Sequence, residues 1–512
     1  MPHLRLVQVA EASLLHRCVD VNTNPAPTLP VVIGVAQVSG AQSTSEGARS
    51  PSDPIELMAQ ALQRAAGDSA GQGVLDEIGL TAVVGGLWRY PNPAALVARE
   101  LGIHARRTML TDFGGQVPME LFADLADRIQ CGDLDVAVIL GGECNATRRA
   151  LARLGQRPSA HDEPVDKPDE FWGEPLIMGD EAASGRGADQ PRNTYAVLDS
   201  AIRAARGESL DQARDRGARI CASYSAAAET NLDAAVRRRM SPEEIREPSS
   251  ANRMVSWPYT KAMCANNTVD HAGAIIMCSS AAADRLRVPV DKRVYAHAGS
   301  LGADTPTLAE RLDVASAPGL RATCAALVDA VGSIDAVAHL DLYCCFPSMV
   351  TLTAEALGVD LDRPLTIGGG LGMAGAPINF AAGEGLIAMV HRLRSDPTSL
   401  GIVQANGGHA SKHAFGLLST SVPDAPYRVL RNPKPEVTRA VAAADTVGPA
   451  RVDGITVEYT SGRPTRAVAL VRFDNGSRTW ANSHDAGVMR SIIETEWVGR
   501  RADVNDGLFV GA

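Results

Sequence analysis

Two stretches of this sequence concentrate residues able to do chemistry. One is residues 366–377, Thr-Ile-Gly-Gly-Gly-Leu-Gly-Met-Ala-Gly-Ala-Pro. Its glycines let the backbone approach a ligand closely and take φ values that other residues avoid. The other is Asn406-Gly-Gly-His-Ala-Ser-Lys-His413, where His409, Lys412 and His413 crowd one loop. Between glycine-free neighbours, Tyr343 ends the apolar run 336–342. A tyrosine and a histidine within hydrogen-bond reach can share proton transfer, worth roughly 10²- to 10⁴-fold in rate. The same residues admit a structural reading, with Tyr343 bonded to a buried backbone group and Lys412-His413 stabilising a loop. Cys344 and Cys345 follow Tyr343 directly, and consecutive strand residues face opposite sides, so only one of them can accompany a site group. Packing is the preferred role for both, and for Cys264. Lys261 reads as a solvated or loop-pairing lysine.

The elements that must position these residues alternate. A strand at 31–37 precedes a helix at 55–66, an apolar segment surrounds Val83, and helices at 94–101 and 117–129 lead to a strand at 136–140. Such alternation predicts a mostly parallel, covered sheet. From 151 to 257 the chain turns polar, Pro- and Asp-rich, and then helical at 201–206 and 210–231, a helical excursion. Segments 274–279, 336–342, 348–357, 381–393 and 402–404 restore the alternation and predict a second α/β half. Past a Pro- and Ala-rich linker, the runs 454–460, 466–473 and 477–481 flank Asp474-Asn475-Gly476. Asn-Gly supplies the positive φ of a tight hairpin, so a separate small β domain is expected near 445–512.

A chain of 512 residues is long enough for several domains. A net charge of −10 gives no broad basic field for nucleic acid or an anionic membrane. The first thirty residues lack the apolar core of a secretory signal, and no run of about 18 apolar residues could span a bilayer, so a cytoplasmic protein is expected. Nine scattered cysteines without paired Cys-x-x-Cys spacing predict no metal site. Small-molecule work is the expectation.

Four landmarks in order carry a resemblance: Leu140-Gly-Gly-Glu143, Pro258-Tyr-Thr-Lys-Ala-Met-Cys-Ala-Asn-Asn267 with Val269-Asp270, Tyr343-Cys-Cys-Phe346, and the glycine run followed by Asn406 to His413. Over about residues 31–512 the chain resembles the thiolase superfamily, in particular thiolase-like proteins of type 1, often labelled acetyl-CoA acetyltransferases, that carry an extra C-terminal domain. The resemblance implies an α/β thiolase fold, with two βαβαβαββ halves in a five-layered αβαβα core. The first half would take 31–144 with 256–270, behind an N-terminal extension at 1–30, and the second 271–427. A helical loop domain at 145–255 would contribute to coenzyme A binding, and a linker at 428–444 would lead to an OB-like β domain at 445–512. In that domain Arg463, Arg466, Arg472 and Arg478 alternate with acids, near Phe473 and Trp480. Single-strand binding wants stacking aromatics in a basic groove, so docking on the core is the expectation and nucleic acid is not.

The same resemblance shows where family chemistry is missing. The nucleophilic cysteine, which a helix N-terminus activates, falls at Gly115, Gln116 or Val117. The histidine of Gly-His-Pro falls at Ala376, and the second cysteine at Ala405 or Asn406. Tyr343 takes the place of a histidine or asparagine that points into the site. Among the polar residues that remain, the candidate catalytic pair of a new site is Tyr343 with His413, and the candidate pocket lining is Gly369, Gly370, Gly375, Asn379, Cys345, His409 and Lys412. The implied ligand is coenzyme A or an acyl-CoA, with no separate cofactor. A conventional thiolase is not expected. A retro-aldolase-like carbon–carbon lyase and a non-catalytic coenzyme A-binding or regulatory protein both stay open, as does a homodimer, the usual family assembly.

Overall fold

The structure, a computed structural model, describes residues 28–40, 52–158, 164–179, 181–432, 438–443 and 445–511. Most of the expected N-terminal extension and part of the expected linker lie outside these residues. The first strand, Pro30–Ser39, is buried along most of its length, as an unbroken apolar run requires. Leu80–Val83 lies parallel to Thr108–Thr111 and Val136–Cys144. Asp270–Ser279 returns antiparallel between Val136–Cys144 and Pro30–Ser39. The second half builds its sheet from Val337–Asp341, Leu400–Gly407, Lys412–Ser419 and Val294–Ala303. Val31 and Val32 pair with Tyr295 and Val294, which joins the two halves in one sheet.

Two helices, Val117–Gln130 and Ala381–Ser395, touch strands of both halves and each other. Met119, Phe122, Leu125 and Ile129 on the first, and Leu386, Met389 and Leu393 on the second, have no accessible surface. Helices apolar around most of their girth need cover on more than one side, and these two form the central layer. Their N-termini open toward the same region, and that determines where the site lies.

The insertion contributes the long helices Pro191–Ala205 and Leu210–Thr230, the second started by a Ser209/Gln212 capping box. It also contributes a short strand within the stretch read as a polar, Pro- and Asp-rich insertion: Glu170–Trp172 lies parallel to Thr108–Thr111 at the sheet edge. Polar anchors hold it there, with Thr108 Oγ1 donating to Asp169 at 2.7 Å and Arg128 donating to Glu170 at 3.0 Å. Arg428–Arg431, inside the expected linker, is likewise a strand, parallel to Val294–Ala303. Such short pieces take their conformation from the partner edge and carry little pattern of their own.

Five strands of the C-terminal domain, Gly448–Thr460, Arg463–Phe473, Arg478–Ser483, Leu508–Gly511 and Arg501–Asn505, pair in a closed circuit. This is a small OB-like barrel with its own core, which includes Val452, Val457, Val471 and Phe509. The expected turn forms at Asp474-Asn475-Gly476, with Gly476 at φ +86°. Trp480 and Phe473 are buried, and Arg466, Arg472 and Arg478 are paired with Glu458 or Asp453. These residues therefore make no exposed stacking platform. Among the described residues no helix is long and apolar enough to cross a membrane.

Candidate functional site

A cavity of about 1260 Å³ lies where the two halves meet the insertion. Gly115, just before the central helix Val117–Gln130, lines it together with Tyr343, Cys345, Ala376, Asn379 and Asn406. Residues far apart in sequence meet here because strand ends and helix N-termini converge: Tyr343 follows the strand Val337–Asp341, and Asn406 ends Leu400–Gly407. The expected positions without a catalytic side chain thus meet in part. Gly115, Ala376 and Asn406 share the cavity, whereas Gln116, Val117 and Ala405 are buried outside its lining.

Tyr343 is fixed by its backbone, whose N–H donates to Gln404 Oε1 at 3.0 Å, and Gln404 is held in turn by Thr353 at 2.8 Å. Its hydroxyl has no hydrogen-bond partner among the described residues and faces Gly115, where a Cβ would stand 2.7 Å from it. Burial raises the Tyr343 pKa well above the usual tyrosine value. The side chain is therefore a neutral phenol, able to donate a proton to a bound molecule. Asn406 Nδ2 donates to Tyr195 Oη at 2.8 Å, while its Oδ1 is buried and unpartnered among the described residues. Two polar groups with unused capacity therefore belong to residues that line one chamber.

Tyr195 comes from the insertion helix Pro191–Ala205 and was not foreseen. Its hydroxyl donates to Gly408 O at 3.1 Å, accepts from Ala410 N at 2.9 Å, and its ring stacks on Phe346 with centroids 4.8 Å apart. Nothing local in the sequence marks it, because its role depends on where the insertion folds back. Asp341 was also missed. It accepts from Thr366 Oγ1 at 2.7 Å and from the Ile367 amide at 2.9 Å, tying the start of the glycine loop to the strand that ends at the site.

The other expected site residues lie elsewhere or act differently. His413 has no accessible surface and is not part of the cavity wall, so the structure does not bring it together with Tyr343 there. Its Nε2 lies 3.0 Å from Asp304 Oδ2, and the same carboxylate accepts the Gly319 and Leu320 amides that open the helix Pro318–Val331. Burial would raise the Asp304 carboxyl, but His413, Arg311 and the amides outweigh it and hold the group ionised. Burial keeps His413 below the usual imidazole range and neutral. His409 is buried edge-on to Tyr195, with burial and nearby Arg311 pulling it down to about 4. His409 and Lys412 do not line the cavity.

Gly369 and Gly370, at φ +99° and +63°, sit against Ala228 and Tyr224 of the insertion, so their work is close packing. Gly375, at φ +116°, leaves room for His271, whose Nδ1 lies 3.0 Å from Glu384 Oε1. Asn379 lines the cavity and donates to Gly85 O at 2.6 Å. Burial pushes the thiols of Cys345 and Cys264 up to about 12, so neither is a thiolate near neutrality.

Toward solvent the cavity is lined by Arg149, Arg192, Arg238, Arg253 and Lys261, with Glu243, Glu244 and Glu247 among them. Glu244 is taken by Arg238 at 2.8 Å. Arg149, Arg253 and Lys261 are exposed and make no ion pair among the described residues. The arrangement is a deep chamber with a neutral proton donor inside and cations at its mouth. Among the described residues no cluster of three metal-ligating side chains forms.

No protein-family model matches this sequence, and no curated protein matches it. Solved structures do. A monomeric SCP2-thiolase-like protein type 1 from Mycobacterium smegmatis superposes with a TM-score of 0.80 at 26% identity, over 95% of this chain and 99% of that one. An Ltp2-ChsH2(DUF35) aldolase matches at 0.57 and 16% identity, over 77% of this chain and 98% of that one. The dimeric peroxisomal thiolase of Saccharomyces cerevisiae matches at 0.56 and 15%, over 78% and 99%. The last two likenesses show the fold alone. The first extends over nearly the whole of both chains and supports the assignment of this chain as a thiolase-like protein of type 1.

Proposed function

We propose that this protein binds an acyl-CoA, with the acyl thioester in the chamber and the nucleotide end at its mouth, and that it forms no acyl-enzyme. The observation that carries the reading is the single cavity that joins Gly115, Ala376 and Asn406 to a cationic mouth. At the three positions where a thiolase places its nucleophile, its histidine and its second cysteine, this chain has two small apolar residues and an amide. The space they leave is open to ligand. Phosphates are met by the mouth cations, of which Arg149, Arg253 and Lys261 make no ion pair among the described residues.

A chemical role is favoured over passive binding by one feature, the Tyr343 hydroxyl that faces the chamber without a protein partner. In a retro-aldol cleavage of a β-hydroxyacyl thioester, the β-hydroxyl gives up its proton to solvent as its oxygen becomes the carbonyl, and the electron pair of the breaking carbon–carbon bond passes to the α-carbon. A neutral phenol supplies the proton that carbon takes up, and the phenolate regains a proton from solvent. His413 plays no part in this reading. Calorimetry and thermal melting with coenzyme A test the binding. At about 100-fold excess over Kd, coenzyme A stabilises the fold by roughly 2.7 kcal/mol. No heat and no shift at millimolar coenzyme A or acetyl-CoA overturns the proposal.

A further inference from the structure

The C-terminal barrel touches a residue of the cavity wall, Arg192, through one carboxylate. Glu458, on the strand Gly448–Thr460, is 7% exposed. Its Oε1 accepts from Arg192 Nη2 at 2.8 Å, and Arg192 lines the cavity mouth. Its Oε2 accepts from Arg466 Nε and Nη2 at 3.0 and 2.6 Å, and Arg466 is not part of the lining. One carboxylate is thus divided between a cation that a ligand can touch and one that it does not.

The surrounding contacts make this a built arrangement. The insertion hairpin Met254–Ser256 and Tyr259–Thr260 adds to the edge of the barrel strand, with Ser256 opposite Glu458 and the Trp257 amide donating to Val457 O at 2.9 Å. Chain on either side of that hairpin lines the cavity at Arg253 and Lys261. The helix that bears both Arg192 and Tyr195 packs on the same barrel strand, where Ile455 N donates to Ser200 Oγ at 2.8 Å. The barrel therefore holds one wall of the chamber as well as a mouth cation.

Building on the acyl-CoA reading, we propose that Glu458 is a specificity-determining residue of the barrel, setting through Arg192 how strongly the mouth attracts the phosphates of a nucleotide-bearing thioester. The carboxylate keeps Arg192 in place and cancels part of its charge. Arg466 counteracts this by drawing the carboxylate's charge toward itself. The two residues consequently have opposite effects on phosphate affinity, although they are partners in one ion-pair network.

Calorimetry with coenzyme A and with pantetheine, which lacks the nucleotide, tests this on wild type, E458Q and R466Q. Glutamine keeps an oxygen for Arg192, removes the charge and gives up the acceptor that Arg466 uses. Coenzyme A should bind E458Q about three- to tenfold more tightly and R466Q correspondingly more weakly, with both differences shrinking at high salt. Pantetheine affinity should be unchanged in both. A purely structural network would weaken coenzyme A binding in both variants, and that result, or no change in either, overturns the inference. If E458Q does not fold, R466Q decides through salt: weaker coenzyme A binding that converges on wild type at high salt, with pantetheine unchanged, supports the inference, and a salt-independent loss or any other result overturns it. Wild type that binds no coenzyme A removes the acyl-CoA reading and this inference together, whereas wild-type binding with unaltered variants removes only the inference.

Discussion

Restoring a side chain at Gly115 tests the site most directly, because the structure sets the available space on two sides. A Cβ there would stand 2.5 Å from Asn406 O and 2.7 Å from Tyr343 Oη. Carbon and oxygen in contact need more than 3 Å, so both neighbours must move by roughly half an ångström or more. Asn406 O belongs to a buried central strand paired with Lys412–Ser419 and has little freedom. Tyr343 can give way only by turning its hydroxyl farther into the chamber, since Gln404 anchors its backbone. Overpacking of this kind costs about 1–3 kcal/mol. Gly115→Ala should therefore melt measurably lower than wild type and bind acyl-CoA more weakly. Gly115→Cys should carry the same penalty and, despite a thiol at one of the three positions to which the resemblance assigns the nucleophile, should gain no acetyl group from acetyl-CoA by intact mass spectrometry, because Ala376 supplies no base. Wild type should show no adduct either. The reasoning fails if Gly115→Ala is as stable as wild type, or if Gly115→Cys takes up one hydroxylamine-sensitive acetyl group.

Three other outcomes follow from the same geometry. Tyr343→Phe should lower turnover of a β-hydroxyacyl-CoA by roughly 10²-fold or more with little change in affinity; an unaltered rate with a lower melting temperature would instead make the tyrosine structural. His413→Ala should cost about 1–3 kcal/mol by removing a partner of the buried Asp304, and leave ligand binding intact; a selective loss of activity at unchanged stability would restore it to the site. Burial pushes Glu143 up to about 7, against the Leu87 amide and Arg148, which pull it down. Its folded form holds a proton that the unfolded chain releases above the ordinary glutamate range, so this group removes up to about 3 kcal/mol of stability as pH rises from about 4.5 to about 7. Glu143→Gln should therefore gain on wild type between pH 5 and pH 8 in melting experiments, and a parallel pH dependence of the two proteins would refute the assignment.

Periodicity and turn chemistry sufficed for much of the architecture. The apolar runs at 31–37, 117–129 and 381–393 became the buried strand and the two central helices, and Asp474-Asn475-Gly476 became a turn, because apolar spacing and positive-φ residues act locally and act alike in any context. The ordered landmarks also pointed to Tyr343, Cys345, Ala376, Asn379 and Asn406, which do share one cavity. Tertiary structure decided what each of them faces. His413 and Tyr343 look equally reactive on paper, yet strand register turns His413 toward Asp304 and leaves the Tyr343 hydroxyl facing the cavity. Glu170–Trp172 and Arg428–Arg431 became strands through an edge that only the assembled sheet provides. Tyr195 and Glu458 reach the site from an insertion and an appended domain, and no local spacing records that approach. Propensity and periodicity are local properties that a sequence states directly; convergence, burial and charge sharing depend on which distant segments meet, and those are properties of the fold.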